Sequence, residues 1–559
     1  MIKSWIENKT LICLLFAISL SQSAEPLESE NKFLIPKSAL ILEKEFESVA
    51  KKIEVEPIKR ILMQQNGRLK PFDTLARESL LFLHGSYKIY TLPSVASYLA
   101  LAFYEDGKQV EVLEIRDILL REELGFSKSK RYYSLEELQK SQLQTMASPL
   151  IKKQQQNARA LDEHEKKILE VYQQMTLLEE IVTGQAFLYH LDFSYLKKEQ
   201  GKENLSLQIK AKDYFLSLNK TANEQKILAQ ELMELSEKQE VPAIFSHYLK
   251  KVDVEIFYNE VRFFLIAAVL SIFLGVFFFT PLFRNKVSDL VKGVLFSLPL
   301  LLVTLGLGIR VYITEFAPVT NMYGTMIWVS FGILLFTFLI LLFYKNLFLP
   351  GTGLIASGLL LLLTERLPLV LSPDLDPIVA VLRSNFWLST HVTTITISYA
   401  AFSIAMILGN VALVRVLIYK DNTHFIKEYS HYAYRMIQLG CFLLTVGIIL
   451  GGVWADYSWG RFWGWDPKET WALIADLGFL IILHGRFAGW VNTTSLLLWS
   501  PVAYLLVIMA WYGVNFILAA GLHSYGFSSG GTLMVLSFLG IQLCLLLAGG
   551  YKLWHQRTV

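Results

Sequence analysis

Nine apolar stretches, each close to membrane-spanning length, set the first limit on what this chain can fold into. They run at about 262–283, 291–311, 323–343, 347–365, 391–417, 434–454, 468–486, 494–517 and 530–551. Roughly twenty apolar residues in helical form cross a hydrocarbon layer, and a helix satisfies its own backbone polar groups there. The predicted fold class is mainly α: a polytopic α-helical membrane protein with about nine transmembrane helices and an N-terminal exported, mostly helical domain. A formal charge of +3 is too small to argue for a nucleic-acid partner. The three cysteines, Cys13, Cys441 and Cys544, lie in apolar segments and form neither a disulfide framework nor a C-x-x-C metal site. No glycine-rich phosphate loop is present, so ATP is not expected to drive the chemistry.

Residues 1–24 place Lys3 and Lys9 before a short apolar core, Leu11 to Leu20, and end in S-Q-S-A. That order predicts a signal peptide and export of the segment after it. Residues 25–258 are polar and helical in pattern, and two islands stand out: Gly67 to Glu78 and Val254 to Asn259. Neither carries chemistry of its own, and a docking surface for a partner or substrate protein is the modest inference. His84, His164, His190 and His247 lack metal-ligand spacing and read as ordinary surface or core residues. Residues 259–559 form the transmembrane part. With the preceding domain outside, the loops assigned to the inside and the C-terminus hold eleven Lys and Arg against five in the outer loops after residue 283, in line with the positive-inside rule.

Between two of the apolar stretches lies Trp454 to Trp471, W-A-D-Y-S-W-G-R-F-W-G-W-D-P-K-E-T-W, with five of the twelve tryptophans. Trp459 and Trp463 are four apart, as are Gly460 and Gly464; on a helical turn that spacing sets two indoles on one face beside two bare backbone patches. A flat apolar ligand could lie there. The alternative is an interfacial aromatic belt. Asp466, Pro467 and Glu469 read as N-cap, first helical residue and capping-box carboxylate, or as ligand contacts.

Counting crossings puts His391, the tryptophan stretch and His523 (in G-L-H-S-Y-G) on the same outer face. Two imidazoles flanking an indole platform are a common way to hold haem iron, and Arg461 could face a propionate. His484 lies roughly 27 Å beyond Asp466 along its helix, near the inner side of the layer. It reads as an intramembrane functional histidine or as one that snorkels. Asp476, near mid-depth, has no reading beyond a hydrogen bond to a neighbouring helix.

Trp459, Gly460, Trp463, Trp465, Asp466, Lys468 and Glu469 reproduce the pattern W-G-x-x-W-x-W-D-x-K-E. This resembles the WWD signature of the haem-handling family that includes the System II cytochrome c biogenesis proteins of CcsA/ResC type. The likeness covers roughly residues 300–550 well and the exported domain more loosely. It implies haem b as bound substrate on a platform of Trp459, Gly460, Arg461, Trp463, Gly464, Trp465, Asp466 and Glu469. It also implies His391 and His523 as axial ligands of the haem iron and His484 as an intramembrane ligand. The implied activity is covalent attachment of haem to an apocytochrome c C-x-x-C-H motif at the periplasmic face of the bacterial inner membrane. No catalytic residue is identified, as expected of a scaffold. The alternative is a haem exporter or chaperone serving a separate ligase. The family pairs its membrane histidine with another from a CcsB/ResB-like half, whereas segments one to four here contain no histidine. Either a CcsB/ResB-like membrane subunit supplies it, or the chain is part of a fusion.

Overall fold

The computed structural model describes residues 37–53, 55–104, 106–157, 161–187, 248–344, 348–368, 370–375, 384–419, 423–518 and 531–558, with 230, 231 and 234. The expected signal peptide and His523 lie outside these residues, as do His190 and His247. Among the described residues nine helices are long and apolar enough to cross a membrane, one for each predicted segment. The chain is a polytopic α-helical membrane protein.

The polar N-terminal part has its own core, built from residues between Phe46 and Phe187. At its edge, strands β1 (Leu62–Gln65) and β2 (Arg68–Pro71) pair antiparallel with Gln65 opposite Arg68. The two-residue connection is Asn66-Gly67, with φ of 53° and 76°. Both values fall in the left-handed region that a tight hairpin turn demands, and Asn-Gly is the pair that tolerates it. Helix α1 (Phe72–His84) comes directly after.

Helix α2 (Val252–Val261) leads into the first membrane helix, α3 (Phe263–Phe278), through a kink at Arg262, whose φ is 51°. Here the two polar islands of the sequence meet. Arg68 grips Glu255 with both terminal nitrogens, at 2.9 and 2.5 Å. Thr74 donates to the same carboxylate at 2.7 Å. Asn259 donates to Asp73 at 3.0 Å and to Thr74 at 2.9 Å. Arg68 and Glu255 are each 2% exposed, so the ion pair is fully withdrawn from water. The two islands, expected to dock a partner or substrate protein, instead meet each other in an internal clasp between the domain and the helix that enters the bundle.

The remaining membrane helices are α4 (Asp289–Thr314), α5 (Met322–Tyr344), α6 (Phe348–Arg366), α7 (Thr393–Ile418), α8 (Thr423–Trp459), α9 (Pro467–Phe487), α10 (Thr493–Ile508) and α11 (Thr532–Thr558). Small residues set their closest approaches: a side chain at Gly358 of α6 would stand 2.8 Å from the Ala268 carbonyl of α3. Many hydroxyls within the spans donate to a carbonyl of their own helix, as Thr337 does to Ile333 at 2.6 Å. Asp476 bonds to Thr445 of the neighbouring α8 at 2.7 Å, the role the sequence allowed it.

Candidate haem-handling cavity

Helix α7 does not begin as an α-helix. A turn at Asn385–Trp387 passes into a π-helical segment, Leu388–Val392, that carries His391. Such bulges shift a side chain out of α-helical register and recur at functional sites. The His391 ring lies against α8, where Gly447 accepts a hydrogen bond from Nδ1 at 2.8 Å. Donation from Nδ1 leaves the lone pair of the neutral ring on Nε2. Gly451, one turn on from Gly447, is what admits the ring. A Cβ there would stand 2.4 Å from His391 Cε1 and 2.9 Å from Nδ1. Trp454 packs edge-on at 5.7 Å between ring centroids.

The tryptophan stretch departs from the helical face expected of it. Helix α8 ends at Trp459 because Gly460 takes a φ of 67°, and Trp463 stands in the loop beyond. Trp459 and Trp463 therefore do not share one helical face. They nonetheless line one cavity together with Glu469 and His391. Arg461 lays its guanidinium where a Gly464 side chain would be, so that glycine is covered by the arginine. Trp465, at a φ of 56°, is 71% exposed and meets Trp463 edge-on at 5.8 Å.

Asp466 accepts from Lys468 N at 2.9 Å, and Glu469 Oε2 accepts from Asp466 N at 3.1 Å and Gly464 N at 2.8 Å. This is the capping box expected at the start of α9. The other oxygen of Glu469 is buried with no donor. So are the indole nitrogens of Trp463 and Trp511, with no acceptor. All three residues belong to the wall of the same cavity. A buried polar atom without a partner is costly, and three such atoms belong to residues of this wall.

The cavity encloses about 1350 Å³, its open mouth included, and lies between the ends of α5, α7, α8, α9 and the π-helical Met509–Leu518 that extends α10. It opens at the end of the bundle on which the N-terminal domain docks, where Lys251 of the domain side bonds Glu315 beyond α4 at 2.6 Å. The loop after Glu315, through Ala317 and Val319, packs on Leu388 beside His391. His484 is far from this cavity. It sits near the opposite end of α9 with Nδ1 bonded to Leu480 O at 2.8 Å, on a side that exposes Leu477, Ile481 and Phe487.

Sequence reasoning missed Gly447, Gly451, Lys468, Trp511 and Asn515. The four-residue spacing of Gly447 and Gly451 was a legible signal of close helix approach. Lys468, one of the five Lys and Arg counted in the outer loops, lies within the signature and lines the cavity.

Comparison with known proteins places this geometry. A sequence model of the family described as Cytochrome C assembly protein matches residues 295–523. The cytochrome c biogenesis protein CcsA of Guillardia theta is 34% identical over 252 residues, covering 40% of this chain and 81% of that protein. The CcsA of Prochlorococcus marinus (strain MIT 9215) is 33% identical over 303 residues, 48% of this chain and 93% of the relative. The chain belongs to the cytochrome c assembly protein family. Protein NrfI of Wolinella succinogenes is 36% identical over 260 residues, 45% of this chain, which span only 28% of NrfI. The family match takes in the whole cavity wall from Val319 to Asn515, whereas the clasped N-terminal domain and α3 precede it.

Proposed function

We propose that this protein acts in cytochrome c-type biogenesis by holding haem b beside His391 and presenting it for covalent attachment to an apocytochrome c C-x-x-C-H motif. The observation that carries the reading is the cavity itself. Its wall combines an imidazole, four indoles (Trp454, Trp459, Trp463 and Trp511) and buried polar atoms that have no partner. The Nδ1–carbonyl bond of His391 is the outer contact that orients a metal-ligating imidazole. Indoles suit the faces of a porphyrin, and His523, close to the end of Met509–Leu518 in sequence, is the expected second ligand.

The ligation adds each cysteine thiol across a haem vinyl group. One C–S and one C–H bond form, the S–H bond and the vinyl π bond are consumed, and nothing is oxidised or reduced overall. The chain's part is to bind and orient, which brings reactants together with an entropic advantage. The apolar side of α9 around His484 suits a CcsB/ResB-like membrane subunit, with haem entering on that side from the cytoplasm and His391 lying toward the periplasm.

Two measurements test this. His391→Ala should lower the haem that co-purifies in detergent by at least about 10- to 100-fold, the range seen when only an outer contact of a metal-ligating imidazole is lost; an unchanged haem spectrum would remove the central ligand. Co-expression with an apocytochrome and a CcsB/ResB-like subunit, in a host without other biogenesis factors, should leave haem covalently bound after denaturation. Haem transferred only in the presence of a separate ligase would favour an exporter or chaperone instead.

A further inference from the structure

Asp476 lies near the middle of α9, within the span, and is 3% exposed. Thr445 of α8 donates to its Oδ2 at 2.7 Å, while Oδ1 is buried with no partner. No charged group bears on it. Cys441, one turn before Thr445 on α8, is its electrostatic neighbour. The other helices packed about α9 bring Tyr504 of α10 and Tyr399 of α7 to the middle of the span, and Tyr512 of the π-helical extension lies nearer the mouth. All four groups are uncharged at neutral pH. A carboxylate is costly in such surroundings, and with no cation beside it the group is held as the neutral acid. Since Thr445 donates to Oδ2, the proton belongs on Oδ1. The carboxyl sits just beneath the cavity: Ala472, four residues earlier on the same face of α9, lines it with only a methyl group. That step is roughly 6 Å along the helix axis. Ile448, three residues after Thr445, lines the cavity from α8.

We propose that Asp476 balances the charge of the bound haem iron by exchanging a proton, ionised beneath a ferric centre and protonated beneath a ferrous one. A ferric porphyrin core held by neutral imidazoles carries one positive charge, and the ferrous core carries none. Only the ferric state therefore supplies the counter-charge that a buried carboxylate needs. When an external one-electron reductant converts Fe(III) to Fe(II), Oδ1 takes up one proton from solvent, and the charge of the site is unchanged. Reoxidation releases it. Acid then favours the ferrous state and alkali the ferric. Lys468 and Glu469 also line the cavity, but Asn515 and the capping box hold them nearer its mouth.

This rests on the haem reading, and the test separates the two. Haem bound to the purified full-length protein is titrated with dithionite across the neutral pH range. Its reduction potential should fall as pH rises, by up to about tenfold in the reduction equilibrium per pH unit, the limit of one proton per electron. Asp476→Asn keeps an oxygen for Thr445 but cannot ionise. It should lose most of that slope and stay near the potential the parent shows in acid. The ferrous-minus-ferric infrared difference spectrum should contain the C=O band of a newly protonated carboxyl. That band should shift in Thr445→Val, which removes the hydrogen bond to Oδ2, and vanish in Asp476→Asn. A parent potential independent of pH would overturn the proposal without recourse to any variant, and leave the haem reading standing. So would a slope and an infrared band that both variants leave unchanged. Protein that retains no haem would overturn both readings.

Discussion

Gly451→Ala should empty the cavity of haem nearly as completely as removal of His391, although the change adds a single methyl group. The new Cβ would stand 2.4 Å from His391 Cε1, 2.9 Å from Nδ1 and 3.1 Å from Nε2, so the ring must leave its seat. Leaving breaks the bond to Gly447 O that orients the imidazole. Contacts of this kind are worth about 10- to 100-fold in metal binding, and that is the loss expected in haem retained through purification. The control lies in helix physics. Alanine in a helix interior is favoured over glycine by roughly 0.8–1.0 kcal/mol, so the variant should insert and fold at least as well as the parent. Gly308→Ala, at a position with no neighbour within 4 Å, should keep both the fold and the haem. A Gly451→Ala protein with the parent absorption spectrum would show that the ring is not held as described.

Glu255→Ala should release the N-terminal domain from the bundle. Its carboxylate is 2% exposed and accepts from both terminal nitrogens of Arg68 and from Thr74. Removing one partner of a buried ion pair leaves the other charge uncompensated and costs about 3–5 kcal/mol. Because the loss falls on the contact between the hairpin and α2, it should appear as a lowered first unfolding transition and as early proteolysis near Arg68, with the membrane helices intact. The double variant Arg68→Met/Glu255→Leu should recover most of the loss, since apolar groups of similar size can replace a buried pair. Single and double variants of equal stability to the parent would mean that the clasp contributes nothing to docking.

The membrane helices were legible because a span must be long and apolar, a property each segment carries alone. The start of α9 was legible for a similar reason: Asp466, Pro467 and Glu469 cap locally, whatever lies beyond them. The tryptophan face was misread because helical spacing was continued past Trp459, where Gly460 turns the chain. Asn66-Gly67 was a hairpin signal passed over, since the island Gly67 to Glu78 starts inside the turn.

The sequence by itself determined the nine membrane segments, the polar character of the domain before them and the signature that marks the family. It could not say that Arg68 and Glu255, 187 residues apart, neutralise each other, or that Gly451 makes room for His391. Nor could it turn Lys468 from a loop charge into part of a cavity wall beside Asn515 and Trp511. Hydropathy and capping are decided within a few neighbouring residues, and they survive in one dimension. The partner of a buried charge, and the space left beside a glycine, exist only where distant segments pack against each other.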